Sequence, residues 1–144
     1  MRVYRRPGRP RNPIRYRAVV ALGLALPLGA ALAGETTAMQ QLERWNARAG
    51  SPGQAARGEA FFASRHGGEW SCRSCHGAPP LQEGTHAGTG KPIAPLAPIA
   101  NPRAFTDEAR VDKWFRRNCR DVLDRECSAG EKADVLAWLL SLKR

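Results

Sequence analysis

Acidic residues are missing from the first 34 positions of this 144-residue chain, and seven arginines fall within its first 17. The net charge of +10 is therefore concentrated at one end. That does not describe a nucleic-acid binder, which needs its cations on the folded face that meets phosphate. An apolar run of the roughly 20 residues needed to span a bilayer is also lacking. The N-terminal run Ala18–Ala33 has 16 residues and is interrupted by Pro27. Alternation with period two is scarce, which argues against sheets. Methionine is limited to Met1 and Met39, and tyrosine to Tyr4 and Tyr16.

The basic start, the apolar run and the small-x-small triplet Ala31-Leu32-Ala33 together describe a secretory signal peptide over residues 1–33. Arg5-Arg6 is followed by Pro7 and lies far from the apolar run, which favours unfolded export over a twin-arginine route. Cleavage after Ala33 leaves one domain, residues 34–144, with 16 basic against 13 acidic residues, a charge of +3. The expected location is the periplasm. Cys72, Cys75, Cys119 and Cys127 all lie in the exported part, where disulfides persist.

The periodicities of the mature domain are helical. Thr36 or Thr37 caps a first helix with Met39, Leu42, Trp45 and Ala49 at helical spacing up to Gly50. Ser51-Pro52 reads as the N-cap and first residue of a second helix, which carries Gly58, Phe61 and Phe62 to about Ser64. A glycine inside a helix costs about 1 kcal/mol relative to alanine, so Gly58 suggests room left for another backbone or ring. From Gly77 to Pro102 the composition turns to Gly, Pro, Ala and Thr, which excludes a long helix or central strand. So long an irregular segment in so small a domain must wrap something. Thr106 caps a third helix to about Asn118, with Val111, Trp114, Phe115 and Asn118 at i, i+3, i+4 and i+7. Ser128 with Glu131 opens the last helix as a capping box. The expected fold is all-α.

Cys72-Arg73-Ser74-Cys75-His76 is C-x-x-C-H, the attachment sequence for c-type haem. Its spacing sets two thiols along one porphyrin edge, ready to add to the vinyl groups, and aims His76 at the iron from the proximal side. A thioredoxin-like pair would need a βαβ pattern, which is absent. A zinc site completed by Cys119 and Cys127 would lack the usual knuckle spacing. One covalently attached haem c is expected, with the irregular segment as one wall of its crevice. Gly58, Phe62 and Trp138 would pack where the terminal helices cross, so the chain resembles a class I cytochrome c from about Pro52 onward.

Most electron-transfer cytochromes c complete the iron with a downstream methionine. Here both methionines precede the motif, and both tyrosines leave with the leader. His86, a lysine, Asn101, Asn118 or an open site remain. His86 lies in a Gly-containing loop, where a solvated histidine is the simpler role. Asn118 completes the apolar stripe, although a helix C-terminal asparagine would explain it equally.

Four segments bear on that choice. Gly90-Lys91-Pro92-Ile93-Ala94-Pro95-Leu96-Ala97-Pro98, Phe105-Thr106-Asp107 with Val111-Asp112-Lys113-Trp114, Arg117-Asn118-Cys119, and Gly130-Glu131-Lys132-Ala133-Asp134 closely resemble the sphaeroides haem protein family. The resemblance covers about Gly58 to Leu142. It implies that Asn118 is the distal ligand of ferric iron and that Cys119 and Cys127 form a disulfide. It also implies binding of diatomic gases and electron delivery from a dihaem cytochrome c linked to a membrane b-type cytochrome. The expected function is an electron-transferring cytochrome whose labile distal ligand frees ferrous haem for O₂, NO or CO. The alternative is a haem oxidoreductase acting on a small oxygen or nitrogen species, with His66, His86 or an arginine as its acid–base group. Arg110, Lys113, Arg116, Arg117, Arg120 and Arg125 form either a solvated helix face or a docking patch for an acidic partner.

Overall fold

Helix starts in this chain are written locally, and the computed structural model, which describes residues 35–144, shows where tertiary contacts override them. The leader expected over residues 1–33 lies outside the described residues. In α1 (Ala38–Ala49), the Thr37 hydroxyl accepts from the Gln40 N–H at 3.1 Å, and the Gln40 side chain accepts from the Thr37 N–H at 2.9 Å. Two of the unpaired donors at the helix start are thereby satisfied. Gly50, at φ 68°, ends the helix in the left-handed conformation that glycine adopts without strain.

The second helix corrects the sequence expectation. Ser51 and Pro52 do not start it; α2 is Ala55–Ala63, with Gln54 as its N-cap. The reason lies elsewhere in the chain. Asn46 Oδ1 accepts from the Gly53 N–H at 2.8 Å and so holds residue 53 in the turn. The buried Asp134 carboxylate accepts from the Gln54 N–H at 2.7 Å and takes the capping role that Ser51 would have had.

Two short elements follow α2: α3 (Cys72–His76), a single turn, and a small hairpin of β1 (Gly84–Thr85) and β2 (Pro92–Ile93), with Gly84 opposite Ile93. Next come α4 (Glu108–Leu123) and α5 (Ala129–Ser141). The Ser128–Glu131 capping box at the start of α5 is formed in both directions. Among the described residues the only strands are these two short ones, and the fold is all-α. No described helix is long and apolar enough to cross a membrane.

The core is built on α5, which packs closely against both α1 and α2. One of its faces joins Phe62 through Val135, Trp138 and Leu139, and another joins Trp45 through Ala133 and Leu136. The Phe62 and Trp138 rings meet at 4.8 Å between centroids. Where α2 crosses α5, a Cβ on Gly58 would overlap the Asp134 carbonyl, so glycine is what permits the approach. Asp134 secures the same crossing with its side chain, accepting two hydrogen bonds from Arg57 at 2.8 and 2.7 Å.

Candidate metal centre

α3 carries the attachment motif. Ser71 and Ser74 form a capping box at its start, and Gly77 at φ 75° ends it after one turn. Within that turn Cys72 and Cys75 are three residues apart and His76 is four from Cys72, so the three side chains share one helix face. Cys72 and Cys75 are free thiols, both half-buried. Burial, with a smaller contribution from Cys75, pushes the Cys72 thiol up to about 11.

His76 is shifted the opposite way. Burial first, then the nearby His86, lowers its proton affinity and leaves a neutral imidazole with a free lone pair near pH 7. Its Nδ1 is buried with no hydrogen-bond partner among the described residues. Burying an unpaired ring nitrogen costs free energy. Phe62 backs the ring at 6.2 Å between centroids, which links the α2–α5 crossing to the position of His76.

The Gly/Pro-rich segment wraps α3. Gly84 lies so close to the Cys75 carbonyl that a Cβ there would overlap it, and the Ala87 N–H donates to Cys75 Sγ at 3.2 Å. His86 rides on this hairpin, where its Nδ1 accepts from the Gly88 N–H at 3.2 Å. It thus belongs to the flank that carries Cys75 and His76. Further on, the Pro80 carbonyl accepts from the Leu96 and Ala97 N–H groups at 3.2 and 3.1 Å. The Asn101 side chain braces the same segment, donating to the Pro95 carbonyl at 2.9 Å and accepting from the Arg103 N–H at 3.3 Å. With both ends occupied, Asn101 is a loop brace.

α4 also differs from its expected bounds. Asp107 rather than Thr106 caps it, accepting from the Arg110 N–H at 2.9 Å, and it runs past Asn118 to Leu123, with Asp124 as the left-handed C-cap. Asn118 is therefore inside the helix. The C-terminal role that could have explained an asparagine at this point falls to Asp124. Asn118 is half-buried and shares the stripe of Val111, Trp114 and Phe115. Phe115 from α4 and Cys72 from α3 border the same buried cluster. Trp114, on that stripe, is 43 % exposed. Immediately after Asn118, Cys119 is joined to Cys127 by a disulfide with 5.6 Å between Cα atoms. That bond removes both cysteines from any zinc site, and no cluster of three or more metal-binding side chains occurs among the described residues.

Two half-buried thiols and a neutral imidazole on one turn are a donor set that fits haem c, and the apolar stripe of α4 borders the same buried cluster. The outward side of α4 is basic. Lys113, Arg116, Arg117 and Arg120 line a recess of about 260 Å³ together with Asp121. Sequence reasoning missed Arg44 as a partner of α4 and Asp134 as the brace of α2. Their partners lie 64 to 80 residues away, so no local pattern could reveal them.

Comparisons with known proteins agree on what this arrangement is. A family model described as a domain of unknown function, DUF1924, matches residues 48–139. The cytochrome c-type protein SHP of Cereibacter sphaeroides is 50% identical over 119 residues, covering 80% of this chain and 92% of that protein. Cytochrome c'' of Methylophilus methylotrophus is 42% identical over 80 residues, which is 56% of each chain. The structure of oxidised SHP, described as an oxygen-binding cytochrome c, superposes with a TM-score of 0.70 at 49% identity, covering 76% of this chain and all of that one. Oxidised cytochrome c'' gives a TM-score of 0.65 at 32% identity, covering 74% of this chain and 95% of that one. The fold is that of a class I cytochrome c, and the chain belongs to the sphaeroides haem protein family within DUF1924.

Proposed function

We propose that this protein is a periplasmic monohaem cytochrome c that transfers electrons and binds a diatomic gas when reduced. Cys72 and Cys75 hold the haem covalently, His76 is the proximal ligand, and Asn118 is the redox-labile distal ligand. When bound, haem c supplies a one-electron Fe(III)/Fe(II) couple and, where the distal position opens, a site for O₂, NO or CO.

The observation that carries this reading is the position of Asn118, half-buried inside α4 on the stripe that shares a cluster with Cys72. An amide oxygen is a hard, neutral and weak donor, suited to Fe(III) and poor for the softer Fe(II). Asn118 would therefore hold in the ferric state and let go in the ferrous one. His86 is a poor rival, because its hairpin packs against Cys75 on the same turn as His76, so a second ligand would have to come from another element. Related proteins behave in keeping with this. SHP is an oxygen-binding cytochrome c, and the solution structure of cytochrome c'' bears on haem-ligand detachment.

A dedicated oxidoreductase would need a distal acid–base group. His66 is engaged with the Phe61 carbonyl at 2.9 Å and His86 lies on the hairpin packed against Cys75, which leaves an arginine of α4 as the remaining candidate; a carrier is the better reading because it needs no such group. Electrons would come from a partner such as a dihaem cytochrome c linked to a membrane b-type cytochrome, steered by the basic side of α4. The test is the visible spectrum of the haem-loaded protein, ferric and dithionite-reduced, with and without CO. A high-spin ferrous spectrum that converts to a CO complex is expected. A sharp low-spin ferrous spectrum indifferent to CO would sink the gas-binding reading and leave a plain electron carrier.

A further inference from the structure

Asn118 is presented by a helix fastened along one face. Glu108, Asp112, Phe115 and Cys119 recur at i, i+4, i+7 and i+11, a single stripe of α4. Arg44 of α1 bridges the first two. Its Nη1 donates to Glu108 Oε1 at 2.9 Å and to Asp112 Oδ2 at 3.0 Å, and its Nη2 donates to Asp112 Oδ1 at 2.5 Å. Phe115 meets the edge of Trp45 at 6.2 Å, and Cys119 is bonded to Cys127. Asn118 projects from the neighbouring face, one residue before the last of these anchors.

The anchors differ in kind. The disulfide tethers the C-terminal half of α4, and the bridge between Glu35 and Asp107 holds only the point where the helix begins, so neither fixes its rotation. The aromatic contact is broad and weakly directional. Only Arg44 applies directional bonds, and its planar fork suits a carboxylate pair. Its side chain is 14% exposed and lies 4.3 Å over the Trp45 ring, which limits its freedom to rotate away. Close backbone packing joins α5 to α1 and α2, and none of comparable extent joins α4 to another helix. Apart from the backbone bond from the Thr36 N–H to the Thr106 carbonyl at 3.0 Å, just before its N-cap, side chains therefore set where α4 stands.

We infer that Arg44 is a positioning residue for the distal ligand, fixing the tilt and rotation of α4 and so the height at which Asn118 meets the iron. This role rests on Asn118 being that ligand. On a helix held in this way, detachment of Asn118 is a side-chain rotation, and loosening the clamp weakens attachment of the amide without touching it.

The experiment uses ferric haem-loaded protein and measures the rate at which added imidazole displaces the native ligand, together with the high-spin fraction of the ferric spectrum. Arg44→Gln should raise both, the rate by about tenfold, the worth of one charge-assisted hydrogen bond. Arg44→Lys, which keeps the charge, should stay nearer the wild type. Should Arg44→Gln not fold, Asp112→Asn, which takes one charged acceptor from the clamp and leaves the Glu108 bond, should shift both readouts the same way by less. In an Asn118→Ala background, Arg44→Gln should change neither. A lower melting temperature with an unchanged rate and spectrum would reduce Arg44 to a structural bolt and overturn the proposal. If Asn118→Ala by itself leaves the wild-type rate and spectrum unaltered, the ligand assignment fails first and the proposal falls with it.

Discussion

Gly58→Ala sets two measurable effects against each other. Alanine is the better helix former by about 1 kcal/mol, so in an isolated α2 the change would stabilise. In the folded protein the new methyl would overlap the Asp134 carbonyl and lie 2.9 Å from the Val135 nitrogen. Both neighbours are backbone of α5 and cannot rotate aside. To reach ordinary van der Waals separation from the Asp134 oxygen the two helices would have to part by roughly 1.5 Å. Overpacking of that kind costs about 1–3 kcal/mol. Parting the helices also lengthens the hydrogen bond from the Gln54 N–H to the buried Asp134 carboxylate, now 2.7 Å, which puts about 1.5 kcal/mol more at risk. With the propensity gain subtracted, the net expectation is a loss of about 1.5–3.5 kcal/mol. Urea denaturation of the haem-loaded protein, followed by far-UV circular dichroism, would read it as a lower midpoint with an unchanged slope. A variant as stable as the wild type, or more so, would refute the claim that backbone contact at this crossing is why position 58 is glycine.

Replacing Cys119 and Cys127 together by serine frees an eight-residue separation in the unfolded chain and should cost about 2–3 kcal/mol, read by the same denaturation. Asn118→Met supplies a soft thioether that stays on ferrous iron, so the reduction potential should rise in a spectroelectrochemical titration and CO binding should disappear. Stability should fall in acid. Arg44 holds the Asp112 carboxyl below its ordinary value, and Arg125, with Ser128, does the same for Glu131. Depressed carboxylate values contribute stability that is complete above their unfolded values, near pH 4, and is lost as pH falls through the folded ones. Thermal melts between pH 5 and pH 2 should therefore show a melting temperature that drops steeply below about pH 4, and a flat profile there would contradict the ion-pair assignment.

Several features were legible in the chain because they are local or covalent. The Thr37 and Ser128 caps announce α1 and α5, since a side chain three residues from a backbone N–H can satisfy it wherever the rest of the chain goes. The C-x-x-C-H turn is its own signal, because one helical turn suffices to align two thiols and an imidazole. The glycine at 58 could be read as room for a neighbour, although the sequence could not say that the neighbour was α5.

Tertiary structure decided the rest. Ser51-Pro52 carries a helix-start pattern, yet α2 begins at Ala55, because a carboxylate 80 residues away offers the Gln54 N–H a buried, charged acceptor that an exposed serine cannot match. α4 continues past Asn118 because Cys119 and Val122 are buried, and that extension turns a possible helix-end asparagine into one displayed from the middle of a helix. The sequence by itself determined the chemistry of the site, since donor types and their spacing within one turn are written in neighbouring residues. Only the folded structure decided how α4 is held, since Arg44, Asp112 and Glu108 meet through space and the planar guanidinium makes their pairing directional.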